Sequence, residues 1–412
     1  MPTAISLFTG VGGLDFGFDA AGFKTLVAVE MDSIACKVLR ANTSWPVIEA
    51  DLTQIDPADI LAVAKKRPGE IDILIGGPPC QPFSKSGYWL TGDSRRLADP
   101  RADTLAAYLK VLEYSQPKTF LLENVQGLAF KSKDDGLRFL LDGIAEINRR
   151  TGSKYTVSGR VLNAADFGVP QVRERFFLVG SRDGEEFNFP KPTHSGTDPA
   201  SLPYVTAWDA IGDIEHLASR EKLELGGKWA DLLPSIPEGQ NYLWHTPRGG
   251  GMPLFGWRTR YWSFLLKLAK DKPSWTIQAQ PGSSIGPFHW SNRRLSTQEL
   301  CRLQTLPEGL LFDCGRSSVQ KLIGNAVPSY LAEVLAWEIR RQLLGHEVSP
   351  AHSVLQTRVA KQPAKNSAIA VVPKKYRELA ASHADHPGTG KGKGAQARQD
   401  KKVLEQLVLN YS

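Results

Sequence analysis

The strongest constraint on the fold is a rhythm in residues 3–180, where the short apolar runs AISLF, KTLVAVE, VIEAD, IDILIGG and KTFLLENV alternate with longer amphipathic stretches. This rhythm predicts an α/β fold built on a doubly wound, Rossmann-like sheet, since each parallel strand needs a crossover helix to bring the chain back. The runs YTVSGRVLNA and RERFFLVGS are joined only by a short connection containing Gly168 and Pro170, which predicts an antiparallel hairpin finishing the sheet. From about residue 186 to 290 the chain is rich in Gly, Pro and Trp, as in WHTPRGGGMPLFGWRTR, and predicts a second, smaller, loop-rich domain. Patterning returns in STQELCRLQ and PSYLAEVLAWEIRRQLL, the latter with Leu331, Leu335, Ile339 and Leu343 spaced by four along one helix face. The expected organisation is a catalytic α/β domain at 1–185, a loop-rich domain at 186–292, C-terminal helices closing back on the first domain at 293–345, and a basic, flexible tail at 346–412.

Charge speaks for a partner only once it is located. Of 50 basic and 43 acidic residues, 11 and 4 fall within 351–412, so residues 1–350 hold 39 of each and no net charge; the whole excess of +7 belongs to the tail. Residues 241–294 differ from that neutral body, with Arg248, Arg258, Arg260, Lys267, Lys270, Lys272, Arg293 and Arg294 against the single acid Asp271. No apolar stretch is long enough to cross a bilayer, and MPTAISLFTG lacks the basic start and cleavage site of a signal peptide, so the cytoplasm is the expected compartment and no membrane contact is expected. Cys36, Cys80, Cys301 and Cys314 are far apart with no CxxC pair, which argues against a metal site or a disulfide framework and leaves any special cysteine as a free thiol.

The first strand runs into Thr9-Gly10-Val11-Gly12-Gly13, a turn whose glycines let backbone approach a ligand closely; by itself it suits a dinucleotide, S-adenosylmethionine or tight packing alone. The second strand ends at Glu30, where an acid commonly takes the ribose hydroxyls of an adenosine-containing cofactor, and Asp51 after the third strand lies within reach of an adenine amine. A solvated strand-end carboxylate is the plain alternative for both. The fourth strand ends in Gly76-Gly77-Pro78-Pro79-Cys80-Gln81-Pro82-Phe83-Ser84, where two prolines stiffen a loop that presents a thiol at the carboxyl edge of the sheet. The next strand ends at Glu123, so neighbouring strand ends bring a nucleophile and a carboxyl acid together.

The blocks PPCQPFS, LLENV, PQVRER, RRLSTQELCRLQTLP and QKLIGNAVPSYLAEVL, with the glycine turn at Phe8–Gly13, resemble in residue and order the signature blocks of the DNA (cytosine-5)-methyltransferases, over residues 3–340 apart from the irregular segment. The resemblance implies an S-adenosylmethionine-dependent methyltransferase sheet with a target-recognition domain. It implies cofactor contacts from Phe8, Gly10, Gly12, Glu30, Asp51, Pro79, Asn325 and Val327. It also implies that Cys80 adds to cytosine C6 and that Glu123 holds the N3 edge and supplies a proton; Arg175 would hold O2, and Arg173 would support the cysteine loop or a phosphate. Double-stranded DNA is the implied partner, with Ser84, Gln171, Arg248, Arg258 and Arg260 as contacts and the target base rotated out of the stack. Most tryptophans of the irregular segment are expected to form its core. A monomer acting beside a restriction endonuclease encoded nearby is the expected setting. An RNA cytosine-5 methyltransferase and a catalytically inactive DNA-binding homologue are the competing readings; a nicotinamide oxidoreductase leaves PPCQPFS and the arginine pair without a role.

Overall fold

The structure is a computed structural model that describes residues 1–79, 100–126, 135–216, 221–257, 261–346, 363 and 365–378. Strands β1 (Thr3–Leu7), β2 (Lys24–Glu30), β3 (Val47–Glu49), β4 (Ile73–Gly76) and β5 (Thr119–Val125) alternate with helices α1 (Gly13–Ala20), α2 (Ser33–Asn42), α3 (Pro57–Ala64) and α4 (Pro100–Ser115); α5 (Asp135–Thr151) then leads to β6 (Thr156–Asn163). The short β7 (Gln171–Val172) precedes β8 (Glu174–Ser181). The main sheet has seven strands in the order β3-β2-β1-β4-β5-β8-β6. β1 to β5 pair in parallel, while β8 runs antiparallel to both β5 and β6, so the hairpin expected from sequence closes the sheet. Central strands such as Ile73–Gly76 are buried on both faces, which is why they read as unbroken apolar runs instead of alternating ones.

Two cores sandwich this sheet. On one face Leu74, Phe120 and Leu122 pack with Ile60 of α3, Tyr108 and Leu112 of α4, and Leu140 and Ile144 of α5. On the other, Ala4, Ile73, Ile75 and Leu121 meet Phe18 of α1 and Leu331, Leu335 and Ile339 of the long helix Ser329–Leu343. Each such side chain contributes about 1.5–3 kcal/mol on full burial, so the late helix is as much a part of the sheet domain as α1. Close approach is possible because α1 carries Gly13 and Gly17 where it meets that helix: a Cβ on Gly17 would lie 2.5 Å from the Ala332 Cβ and 2.6 Å from the Glu333 nitrogen.

Beyond Ser181 regular structure is sparse. It comprises α6 (Ala207–Ile211), single 3-10 turns and the two-residue β9 (Ser274–Trp275), followed by α7 (Thr297–Leu303), α8 (Arg316–Asn325) and α9 (Ser329–Leu343). β9 pairs with β7 and sews the irregular lobe to the edge of the sheet domain. Helix starts obey local rules: Thr206 with Asp209 and Ser296 with Glu299 form capping boxes, and Asp56 caps α3 ahead of Pro57. Trp208 and Trp290 are buried in one cluster with Leu268, Leu300 and Ile323, while Leu232, Leu233, Ile236, Tyr242, Leu254 and Leu265 form another.

The tail departs from expectation. Residues 365–378 are not a free linker: Val372 and Tyr376 enter the second of these clusters, and α10 (Lys374–Arg377) lies against the lobe. Composition suggested a solvated segment, but the stretch AIAVVPKKY supplies enough apolar surface to offset the entropy of ordering once a cluster with an open side is at hand.

Candidate active site

A cleft belongs at the carboxyl ends of the parallel strands where the order reverses, with β2 and β3 on one side of β1 and β4 and β5 on the other. At the end of β1 the turn takes left-handed backbone at Phe8, Gly10 and Gly12; glycine adopts this freely, whereas Phe8 is held there at a cost of about 1–2 kcal/mol. The Glu30 carboxylate accepts from the backbone nitrogens of Gly10 at 2.7 Å, Met31 at 2.8 Å and Asp32 at 2.7 Å, locking the turn to the end of β2. Ala50 N donates to Glu30 O at 3.0 Å, which sets Asp51 beside it, exposed and accepting from Thr53 N and Oγ1. From the far end of the chain, Ser329 Oγ donates to Gly13 O at 2.9 Å, and a Cβ on Gly13 would run into the Val327 backbone. Phe8, Gly10, Gly12, Glu30, Val327 and the exposed Asn325 thus meet at one turn, with Pro79 exposed just beyond the neighbouring β4. A Cβ on Gly10 would meet nothing within 4 Å, so this side of the turn is open.

Across the cleft, Glu123 near the end of β5 is buried and pairs with Arg175 of β8, Nε to Oε1 at 3.0 Å. The antiparallel register brings this about by seating Arg175 opposite Val125, two residues from Glu123. Burial pushes the Glu123 carboxyl pKa upward, opposed by the charges of Arg175 and Arg173. A Cβ on Gly77 would come within 3.0 Å of Glu123 Oε2, so the glycine preserves space beside the carboxylate. Asn124 Nδ2 donates to Pro78 O at 3.1 Å and fastens the chain entering the cysteine loop. Cys80 and Ser84 themselves lie outside the described residues, as do Arg258 and Arg260.

Two expectations need correction, and the basic count over 241–294 is no count of surface charge. Gln171 was read as a DNA contact, but its side chain is fully buried: Nε2 donates to Gln304 Oε1 at 2.5 Å and Leu303 O at 3.1 Å, and Oε1 accepts from Ile277 N at 3.1 Å. Of the two expectations for Arg173, the phosphate contact does not fit its burial, and the cysteine loop lies outside the described residues. Arg173 is 1% exposed, with Nη2 donating to Gly324 O at 2.8 Å and Nη1 to Ile277 O at 3.4 Å, so it ties the sheet domain to the end of α8. Burial and the Arg175 charge work against its protonated form and Glu123 works for it. That basic count includes buried lysines. Lys267 is buried with Nζ on Ile236 O at 2.5 Å, Lys270 is buried beside Glu238 at 3.3 Å, and Arg293 pairs with Glu299 at 2.7 Å. Arg248 is exposed as expected, with its guanidinium 4.0 Å above the Trp257 ring.

Sequence reasoning missed the Gln304 hub, which binds Gln171 and donates to the Ile323 and Ala326 carbonyls at 2.8 Å each, holding Asn325 and Val327 in place. It also missed Trp262 and Trp275, which pack edge to face at 5.3 Å while remaining 43% and 40% exposed. Trp275 is the ladder partner of Val172, three residues from Arg175, so the pair stands at the rim of this cleft. Period and spacing carry no signal for which tryptophans stay outside a core. Among the described residues no helix is long and apolar enough to cross a membrane, and no group of three or more His, Cys, Asp or Glu could hold a metal ion.

Residues 3–341 match the model of the C-5 cytosine-specific DNA methylases. The chain belongs to that family. Its enzyme class is accordingly DNA (cytosine-5)-methyltransferase, the reading that the ordered blocks suggested. The chain is similar to the type II methyltransferase M.SacI of Streptomyces achromogenes, 38% identical over 369 residues that cover 82% of this chain and 93% of the other. It is also similar to M.AquIA of Picosynechococcus, 46% identical over 222 residues that cover 51% of this chain and 88% of the other. Among solved structures, a DNMT2 variant from Spodoptera frugiperda superposes with a TM-score of 0.57 at 14% identity, covering 82% of this chain and 99% of the other; at that identity the likeness speaks for the fold.

Proposed function

We propose that this enzyme methylates C5 of a cytosine rotated out of a short duplex recognition sequence, with S-adenosylmethionine as donor, through a covalent Cys80–C6 adduct. The observation that carries the reading is the buried Glu123–Arg175 pair at 3.0 Å, next to the strand end that leads into the cysteine loop. A carboxyl group whose pKa is raised by burial can donate a proton to N3, and an arginine beside it can donate a hydrogen bond to O2.

The cofactor cradle suits an adenosine-containing group. Gly10 leaves the turn open, Glu30 and Asp51 present carboxylates at adjacent strand ends, and Asn325, the last residue of α8, and Val327, in the link to α9, close the site. When bound, S-adenosylmethionine supplies a sulfonium-activated methyl group. The chain's own residues do the rest. The Cys80 thiolate adds to C6, Glu123 protonates N3 as electron density reaches C5, and Arg175 donates to O2; after C5 is methylated a water takes its proton, the C–H pair re-forms the C5–C6 double bond and expels the Cys80 thiolate, and N3 returns its proton to Glu123. Arg173, bonded to Ile277 O and Gly324 O, is a positioning residue that keeps the β7–β8 corner rigid. Residues 186–292 act as the target-recognition domain, with Arg248, Arg258 and Arg260 in reach of the duplex. Relatives named as type II methyltransferases support a modification role paired with a restriction endonuclease, and a cytoplasmic setting suits it.

Bisulfite sequencing of DNA from cells expressing the enzyme tests the reading, alongside duplexes carrying 5-fluorocytosine. A cofactor-dependent covalent adduct is expected with the unmodified chain and none with Cys80→Ser. Glu123→Gln should slow methyl transfer by about a hundred- to ten-thousand-fold with duplex binding retained. Methylation of RNA in preference to duplex DNA, or turnover by Cys80→Ser, overturns it.

A further inference from the structure

The family match ends at residue 341, yet residues 365–378 contribute to the interior of the irregular lobe. The segment runs along it as a strap. Lys270 Nζ donates to Lys365 O at 3.4 Å, Ser367 N to Glu238 Oε1 at 3.1 Å and Ala370 N to Pro234 O at 3.1 Å, so backbone groups at three successive points are satisfied by the lobe. The first two contacts cap a buried set in which Lys270 pairs with Glu238 and Lys267 donates to Ile236 O; burial lowers the Lys267 pKa to about 8, opposed by the charge of Glu238. Val372 then fills the apolar cluster, and Tyr376, 2% exposed, stacks on Trp229 at 5.7 Å and 18° while its hydroxyl donates to Lys228 O at 2.7 Å. Lys375 pairs with Asp231 at the rim.

Trp229 is the pivot of this contact. Its other edges meet Phe255 at 5.2 Å and Phe264 at 5.8 Å, and Tyr242 packs on both phenylalanines. Two residues beyond Phe255 stands Trp257, carrying Arg248 on its ring; two residues before Phe264 stands the exposed Trp262 of the cleft-rim pair. The strap therefore sits directly behind the two loops that bear the lobe's exposed arginine and aromatic groups. Of the proposed cofactor residues, Phe8 packs on one sheet-face cluster and Val327 in the other, and neither enters the cluster of Trp229 and Tyr376.

We propose that residues 365–378 are a specificity-determining part of the DNA-recognition surface, positioning the loops of Trp257 and Trp262 through the Tyr376–Trp229 stack. The proposal rests on the DNA reading above. It separates recognition from cofactor binding: loss of the stack should loosen the reading loops and leave the cradle untouched.

The test uses the full chain with Tyr376→Ala, and with Tyr376→Phe, which keeps the stack and loses only the hydroxyl bond. Affinity for a target duplex and a scrambled duplex is measured by fluorescence anisotropy, and S-adenosylmethionine affinity by calorimetry. Tyr376→Ala should bind the cofactor normally and lose about tenfold or more in target affinity, narrowing the gap to the scrambled duplex, while Tyr376→Phe stays close to the unmodified chain. A synthetic peptide of residues 365–378 added to Tyr376→Ala should restore discrimination, and the same peptide with Tyr376→Ala should not. Unchanged discrimination, failed rescue, or joint loss of cofactor and duplex binding would overturn the strap's role. If the unmodified chain methylates no duplex, it is the DNA reading that falls.

Discussion

Asp15 stands in the first turn of α1, just past the glycine turn, and is completely buried. Burial raises its pKa from 3.8 to about 7, and neither carboxyl oxygen has a hydrogen-bond partner among the described residues. A carboxyl whose folded pKa lies above its unfolded value adds stability that is complete below the unfolded pKa and is lost as pH rises through the folded one. The unmodified chain should therefore lose up to about 4 kcal/mol relative to Asp15→Asn between pH 4 and pH 7 and hold level above that. Chemical denaturation of both proteins across that window measures the difference; a flat difference means that Asp15 is ionised in the fold without penalty. Glu123 shows the same cause at the candidate site, where burial raises the carboxyl pKa against the opposing charges of Arg175 and Arg173.

The contact between α1 and α9 carries information from one end of the chain to the other. Its closeness depends on Gly13 and Gly17, and its product is the seating of Val327 against the glycine turn. Two effects compete at Gly17→Ala. Alanine favours helix by about 1 kcal/mol over glycine, but its Cβ would stand 2.5 Å from that of Ala332 and 2.6 Å from Glu333 N. Crowding should win, because the opposing atoms include backbone that cannot turn away, with a net loss of about 1–3 kcal/mol. Thermal unfolding with and without S-adenosylmethionine reads both consequences: a lower midpoint and a smaller shift on adding cofactor. A variant more stable than the parent would mean that the helices separate at little cost.

For the whole molecule, the seam between the sheet domain and the irregular lobe is held by β7 on β9, by the Gln171–Gln304 bond and by Arg173 reaching Gly324. The exposed Trp262–Trp275 pair stands on the lobe side of that seam, where Trp275 of β9 pairs with Val172 of β7. Leaving two indoles half in water is unfavourable unless a partner covers them, and base or sugar stacking on aromatic rings is worth about 1–3 kcal/mol per base. Replacing both by Ala should weaken target-duplex binding about tenfold or more, with cofactor affinity unchanged, when both are followed by titration. Equal DNA affinity in the double variant would remove the pair from the interface.

The sheet domain was legible in the residues because its rules are local. Period distinguishes strand from helix, strands buried on both faces read as apolar runs, and the blocks around Gly10, Glu123 and Arg175 occupy strand ends that the topology then gathers. The same local rules misjudged Gln171 and offered Arg173 a phosphate, since a polar side chain looks identical in sequence whether it meets water or a buried carbonyl. They also missed the strap. Its docking depends on an opening in a cluster formed more than a hundred residues earlier, around Leu232, Leu233 and Trp229, and no window along the chain contains both surfaces. Residue type and spacing determined the chemistry available to this protein, whereas long-range packing decided which polar groups face the cleft and which hold the two lobes together, because burial is a property of all the neighbours at once.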